Sequence, residues 1–447
     1  MNKENNLIHG NIVKSLFWFS MPLLVGNLFQ QLYNTVDAYV VGNYVSKQAL
    51  AAVGASAPVQ NMLIGLFMGL ATGAGVIIAQ FYGARDERGL HKGVHSAAAL
   101  TIFMSFLLTM IGIFSVEPLL RAIGIPNDVF VESTVYLRIY FSGITFLLIY
   151  NMGAGILRAI GDSKRPLYFL MLASVINIIL DFLFVKYMHW GVAGAGYATL
   201  TSQAICSFLV LYVLMHTQEN YKLEIKAIRF HFPILKKIIA VGLPMGIQQG
   251  IVALSNVVVQ SYVNVYGSSV VAGYSAAVRI DGFVNLPLQS FNMAITTFVG
   301  QNIGAKQYER VNEGTKKALH MTLGVIAVIA ISLFLFGESL IAMFNGEPEV
   351  IRAGRTMQMA FIPFYIVLPY VQIYNGALRG AGNSSVPMYI MVFNFVVLRQ
   401  IYLAIITRFI HNVYFVFLGW PITWVTCMLM LTYYYHKHGL IKNSAIV

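Results

Sequence analysis

Three aspartates stand where charge is expensive. Asp37, Asp181 and Asp281 each lie inside a long apolar stretch. On insertion scales an aspartate at a bilayer centre costs about 2.5–3.5 kcal/mol, and it is tolerated when neutral, paired or facing a wet cavity. Asp37 has polar company. Gln30, Asn34 and Asp37 fall on one face of a helix, with Tyr33 one turn before the aspartate. Ser174, Asn177 and Asp181 repeat that spacing, and Thr199 and Gln203 are again one turn apart. A polar stripe on an apolar helix faces the interior of a bundle. If these stripes converge, two carboxylates share one desolvated pocket, where each charge disfavours the other. Such a pair takes up a proton near neutral pH, or holds a sodium ion with amide and hydroxyl oxygens nearby. The competing reading is that the polar groups only bond helices together. It suits Gln30, Asn34 and Gln203 well. It suits the aspartates poorly, since asparagine would serve without a charge.

Later in the chain Asp281, Asn285, Gln289 and Asn292 form one stripe, and Gln249, Asn256, Gln260 and Asn264 form another. Gln249, Asn256, Asp281 and Asn285, with Gln30, Asn34 and Gln203, are the candidates for a substrate cavity. Arg279 is two residues from Asp281 and does not face it on a helix. Arg399 is placed to pair with Asp281. Motifs of enzymes are not evident: there is no Gly-Lys-Ser/Thr phosphate loop, no His-Glu-x-x-His and no Gly-x-Ser-x-Gly. Cys206 and Cys427 are far apart and imply neither a disulfide framework nor a structural metal.

The elements that must position these groups are membrane helices. Of the 447 residues 58% are hydrophobic and 10% charged, and the mean hydropathy is +0.70. A soluble protein carries about 25% charged residues. Lipid is the natural solvent for such a chain. Charge-poor stretches predict an all-α integral membrane protein of twelve transmembrane helices, at 14–42, 50–82, 94–116, 134–157, 166–186, 192–215, 234–264, 270–302, 318–337, 355–378, 387–408 and 413–435. With both ends in the cytoplasm, Lys3, Lys14, Arg85, Arg88, Lys92, Arg158, Lys164, Arg165, Lys222, Lys226, Arg229, Lys236, Lys237, Lys306, Arg310, Lys316, Lys317, Arg379, Lys437 and Lys442 fall on the inner side. Lys47, Arg121, Lys186, Arg352, Arg355 and Arg408 fall outside, which is the asymmetry expected of a membrane protein. The net charge of +12 is therefore assigned to cytoplasmic loops and not to nucleic acid.

The chain also repeats itself. Gly155-Ile-Leu-Arg-Ala-Ile-Gly-Asp-Ser-Lys-Arg-Pro166 is echoed by Gly376-Ala-Leu-Arg-Gly-Ala-Gly-Asn-Ser-Ser-Val-Pro387. At the same spacing Gln80, Gly83, Ala84 and Arg85 are echoed by Gln301, Gly304, Ala305 and Lys306. Pro22 and Asn34 are echoed by Pro244 and Asn256, one residue out of that register. The expected domains are an N-lobe at 1-216, a cytoplasmic linker at 217-233 and a C-lobe at 234-447. Each half has an even number of spans, so the repeats are parallel, and substrate is expected between the lobes. Pro22 interrupts a helix bond and is a candidate hinge.

These residues resemble the multidrug and toxic compound extrusion (MATE) family along nearly the whole chain. The resemblance is carried by Pro22, by Gln30-Gln-Leu-Tyr-Asn-Thr-Val-Asp37 leading to Val41-Gly42, and by Gln80-Phe-Tyr-Gly-Ala-Arg85. Leu157-Arg158-Ala-Ile-Gly161-Asp-Ser and Asn177-Ile-Ile-Leu-Asp181 add to it, as do the second-half echoes. It implies two six-helix lobes around a central cavity, and a secondary antiporter in the cell membrane. Cationic, amphipathic drugs would leave in exchange for protons or sodium ions. Partners would be small organic cations and membrane lipid, with no cofactor and a monomeric chain. Some relatives use an ion site on spans one, four, five and six, which falls here on Asp37, Tyr136, Asn177, Asp181 and Thr199. Others bind a cation through acidic residues on spans seven and ten, and neither span carries Asp or Glu here. The rival readings are a flippase for a lipid-linked saccharide, with Arg138, Arg279 and Arg399 as its cations, and a membrane-embedded transferase.

Overall fold

A computed structural model of the chain describes residues 7–440, and among these residues it is helical with no strand. Three long helices open the chain: α1 (Ile12–Tyr44), α2 (Lys47–Gly83) and α3 (Glu87–Ile123). A broken span follows, α4 (Asn127–Ser142) and α5 (Ile144–Ala159), and then α6 (Lys164–Asp181) and α7 (Gly191–His216). The second half begins with α8 (Phe232–Asn264), α9 (Ser268–Gly304) and α10 (Tyr308–Ala342). Its remaining spans are α11 (Pro348–Phe361) with α12 (Leu368–Gly380), α13 (Ser385–Val392) with α14 (Arg399–Phe409), and α15 (Val413–Phe417) with α16 (Gly419–His438). These are the twelve expected spans. Ten are long and apolar enough to cross a membrane, and the α4–α5 pair makes eleven. The twelfth is α9, which carries Arg279 and Asp281.

Several helices outrun their apolar bands. The 37-residue α3 is about 55 Å long at 1.5 Å per residue, against about 30 Å of hydrocarbon. Its charged first turns extend past the 94–116 band that hydropathy marks. The span expected at 134–157 is bent by 47° between α4 and α5. Gly143 sits at the bend, and a Cβ there would come within 2.6 Å of Leu200 Cγ. The break lets α7 approach closely. Two other spans loosen at polar groups. A π-helical segment, Phe182–Tyr187, starts directly after Asp181, and a second, Phe393–Leu398, ends directly before Arg399. Such segments are frequent at functional sites.

By its contacts the chain forms two compact units. One contains Met21–Gly246; the other joins the residues up to Ser20 to those from Ile247 onward. The divisions fall inside α1 and α8, close to Pro22 and Pro244. They differ from the expected boundaries at 216 and 234, because the linker and the first half of α8 pack with the N-terminal unit. The reason is local. Gly69 and Gly73 of α2 lie against Gly242 and Gly246 of α8, and a Cβ on Gly73 would stand 2.6 Å from the Gly242 backbone. Small residues at this spacing let two helices touch backbone to backbone.

The segment leading into each half is fastened to a long helix. Arg310 of α10 donates to the carbonyls of Leu7 and Gly10, and Asn302 of α9 donates to Leu7 O at 3.2 Å. In the N-terminal unit the Glu224 N–H donates to His95 Nε2 at 3.0 Å, and the His231 N–H donates to Ser96 Oγ at 3.2 Å. Burial, then the charges of Arg229 and Lys92 and the imidazoles of His95 and His91, hold His231 below its ordinary value of 6.5. A histidine lowered on docking contributes stability that is complete above its free value and is lost as pH falls through the docked one. Amide exchange over residues 220–231, corrected for intrinsic rates, is expected to be faster at pH 5.5 than at pH 7.5, and His231→Asn should flatten the difference. Equal protection at both pH values in the wild type would remove His231 from the docking contact.

Candidate functional site

The site is assembled in the N-terminal unit from α1, α4, α6 and α7. Asp37 is 7% exposed, Asn177 1% and Asp181 fully buried. The Asp37 and Asp181 carboxyl groups lie within hydrogen-bonding reach of each other. Among the described residues nothing donates to Asp37 Oδ1 or to either oxygen of Asp181. The same holds for the partners of both polar atoms of Asn177, Thr199 Oγ1 and Gln203 Oε1. Buried polar atoms are nearly always bonded. Two facing carboxylates with no donor between them repel unless a proton or another cation lies between them.

Apolar packing holds this geometry. Tyr136 is buried with Val40 and Val41, one turn beyond Asp37, and with Val185, Val192 and Ala195. A second cluster of Tyr150, Ala154, Leu170, Ala173 and Cys206 ties α5, α6 and α7 together. Tyr136 also lies within electrostatic range of Asp37. Tyr33 reaches towards Gln30 and Gln203. Thus Asp37, Tyr136, Asn177, Asp181, Thr199 and Gln203 are gathered in one unit, while Gln30 and Asn34 are exposed on the aspartate's own helix. Gln60 of α2 belongs beside Tyr136 as well. Sequence reading missed it, because it carries no charge and its one polar neighbour at helical spacing is the serine Ser56.

The second-half candidates belong to the other unit and divide. Asp281 accepts from the Tyr365 hydroxyl at 2.8 Å, and Asn285 Nδ2 donates to it at 3.3 Å. Asn256 Oδ1 accepts from Arg399 at 3.4 Å. The expected Asp281–Arg399 pair is not formed, since helical spacing says which face a residue occupies and not which neighbour it meets. Gln249 is exposed, whereas the adjacent Gln248 is buried and accepts from Arg379 at 3.0 Å. Arg138 is paired with Glu117 at 2.7 Å, and Arg279 is exposed.

A helical chain made of two repeats, with a buried acid pair in the first, can be compared with known proteins. The MatE family model matches residues 22–183 and again 244–405. The chain belongs to the MatE family. A probable multidrug resistance protein of Bacillus subtilis (strain 168), YpnP, is 30% identical over 416 residues, covering 91% of each chain. A probable multidrug resistance protein NorM of Thermotoga maritima is 26% identical, covering 85% of this chain and 82% of its own. Among solved structures, a multidrug resistance MATE family transporter of the MOP superfamily, outward-facing, shares the fold with a TM-score of 0.93 at 24% identity. It covers 99% of this chain and 100% of its own. Both MatE repeats therefore lie within the two expected halves, and the relatives are transporters.

A cation-dependent acid pair makes a measurable claim on stability. A ligand at 100 times its dissociation constant stabilises by about 2.7 kcal/mol. Acid or sodium is expected to raise the thermal midpoint of the purified protein, read by tryptophan fluorescence, and Asp181→Asn should abolish that response. A response left intact in the variant would take Asp181 out of the cation site.

Proposed function

We propose that this MatE protein is a secondary antiporter that exports cationic, amphipathic compounds in exchange for protons or sodium ions. The observation that carries the reading is the facing Asp37 and Asp181 carboxyls with no donor between them. With an ion between them, the repulsion of the pair is relieved and α1 packs against α6. Without it, the charges repel and the exposed Asn34 and Gln30 face of α1 receives the cationic substrate. Asn177, Thr199 and Gln203 supply neutral oxygens for the ion, and Tyr136 closes the dry side. On the second lobe Gln249, Asn256, Asp281 and Asn285 are the corresponding substrate contacts. Pro22 lets α1 bend where it passes between units. Coupling requires that substrate and ion prefer opposite states. The membrane potential supplies about 2.3 kcal/mol per charge per 100 mV, beyond any concentration gradient.

The charge of the basic loops supports a cell-membrane protein with both termini cytoplasmic, and one chain carrying both repeats supports a monomer. The names of the relatives support drug export, and a flippase or transferase finds no support among them.

The test is efflux of a fluorescent organic cation from cells making the protein, with and without sodium and with a protonophore. Wild type should export the dye. Asp37→Asn and Asp181→Asn, at equal membrane levels, should lose about tenfold or more in rate, equivalent to about 1.4 kcal/mol. Loss of export on sodium removal or on proton-gradient collapse names the ion. Dye export by both variants at the wild-type rate would end the acid-pair mechanism.

A further inference from the structure

The second repeat has no counterpart of the acid pair. The matched segments run 22–183 and 244–405. At the 222-residue spacing of these bounds Asn34 answers to Asn256, Asp37 to Val259, Asn177 to Arg399 and Asp181 to Leu403; the 221-residue echo of 155–166 at 376–387 gains its extra residue before Arg399, where the second repeat carries the π-helical Phe393–Leu398. Val259 and Leu403 are fully buried hydrocarbons. Both acids have been replaced by apolar side chains, and the Asn177 amide by a guanidinium.

That guanidinium is 3% exposed. Its Nε and Nη2 donate to Thr423 Oγ1 at 3.3 and 2.9 Å, and Nη1 donates to Asn256 Oδ1 at 3.4 Å. Phe395 and Trp420 lie 5.1 and 5.3 Å from it, as ring faces that attract a cation. Every group that receives the charge is neutral. An unpaired buried ion costs several kcal/mol unless such contacts offset it. Asparagine and threonine oxygens are also what the first lobe offers a visiting ion, at Asn177 and Thr199, where they have no partner among the described residues. In the second lobe an asparagine and a threonine oxygen are taken by a side chain tethered to the backbone.

We propose that Arg399 is a resident cation. It stands in the second repeat where the coupling ion visits in the first, so the C-lobe counterpart binds no coupling ion and exchange is confined to the Asp37–Asp181 lobe. The inference rests on the ion-coupling reading of that lobe. Arg399 is a positioning residue: it keeps α14, α16 and α8 in the packing that the first lobe reaches only with an ion bound.

Chemical rescue tests it on the full-length protein. Arg399→Ala should lower the thermal midpoint and cut dye export about tenfold. Millimolar methylguanidinium should restore both, and methylurea, its neutral isostere, should restore neither. The sodium or acid response of the midpoint should persist in Arg399→Ala and vanish in Asp37→Asn. If Arg399→Ala yields no folded protein, Arg399→Lys should export within about threefold of wild type while Arg399→Gln loses export. Equal rescue by methylurea, or equal export by the lysine and glutamine variants, would overturn the proposal, since shape and not charge would then matter. An aromatic carboxylate that stabilises wild type but not Arg399→Lys would overturn it too, making Arg399 an anion-binding residue. An ion response that survives Asp37→Asn but vanishes in Arg399→Ala would overturn this proposal together with the coupling reading. A response lost in Asp37→Asn, with no rescue of Arg399→Ala, would overturn the resident cation alone.

Discussion

A charge held away from water must be answered by something, and the structure is organised by how each buried charge is answered. In the N-terminal unit the answer is deferred: Asp37 faces Asp181, and the oxygens around them have no internal donor. In the other unit it is built in. Asp281 has Tyr365 and Asn285, and Arg399 has Thr423, Asn256 and two ring faces. A buried charge whose partners are side chains of its own unit has no need of an ion from outside. A region whose polar atoms wait for an external partner is poised between two states.

The helices meet this demand through small local departures from regularity. The π-helical segments at Phe182–Tyr187 and Phe393–Leu398 adjoin the two buried ionic groups of the fifth and eleventh spans. The bend at Gly143 brings α4 and α7 together beside Tyr136. Close glycine contact between α2 and α8 assigns the first half of α8 to the N-terminal unit. None of these costs much in hydropathy.

That is also why they are hard to read from sequence. Hydropathy and the loop charges specify the number of spans, and the echo of 155–166 at 376–387 specifies the duplication. Helical spacing puts Asp37, Asn177 and Asp181 on inward faces, because a lipid-facing carboxylate is too costly. Which inward faces meet is a matter of packing. Hence the acid stripes are expected to converge, while Gln60, an uncharged amide with only Ser56 at helical spacing, gives no comparable signal. For the same reason the spacing offers Asp281 as a partner for Arg399, which is found against Thr423. The lobe boundaries were drawn at the polar linker, where charge changes. The contacts instead divide the chain inside two helices, where only glycine and proline mark the place.

That division bears on how the chain is made. Residues 12–20 of α1 leave the ribosome long before their packing partners, which lie beyond residue 246. Leu7 and Gly10 likewise wait for Arg310. The start of α1 must remain provisional in the bilayer through the synthesis of more than half the protein. The start of α1 is thus joined to its unit late, and neither sequence half, severed at the linker, would contain everything needed to finish its own assembly.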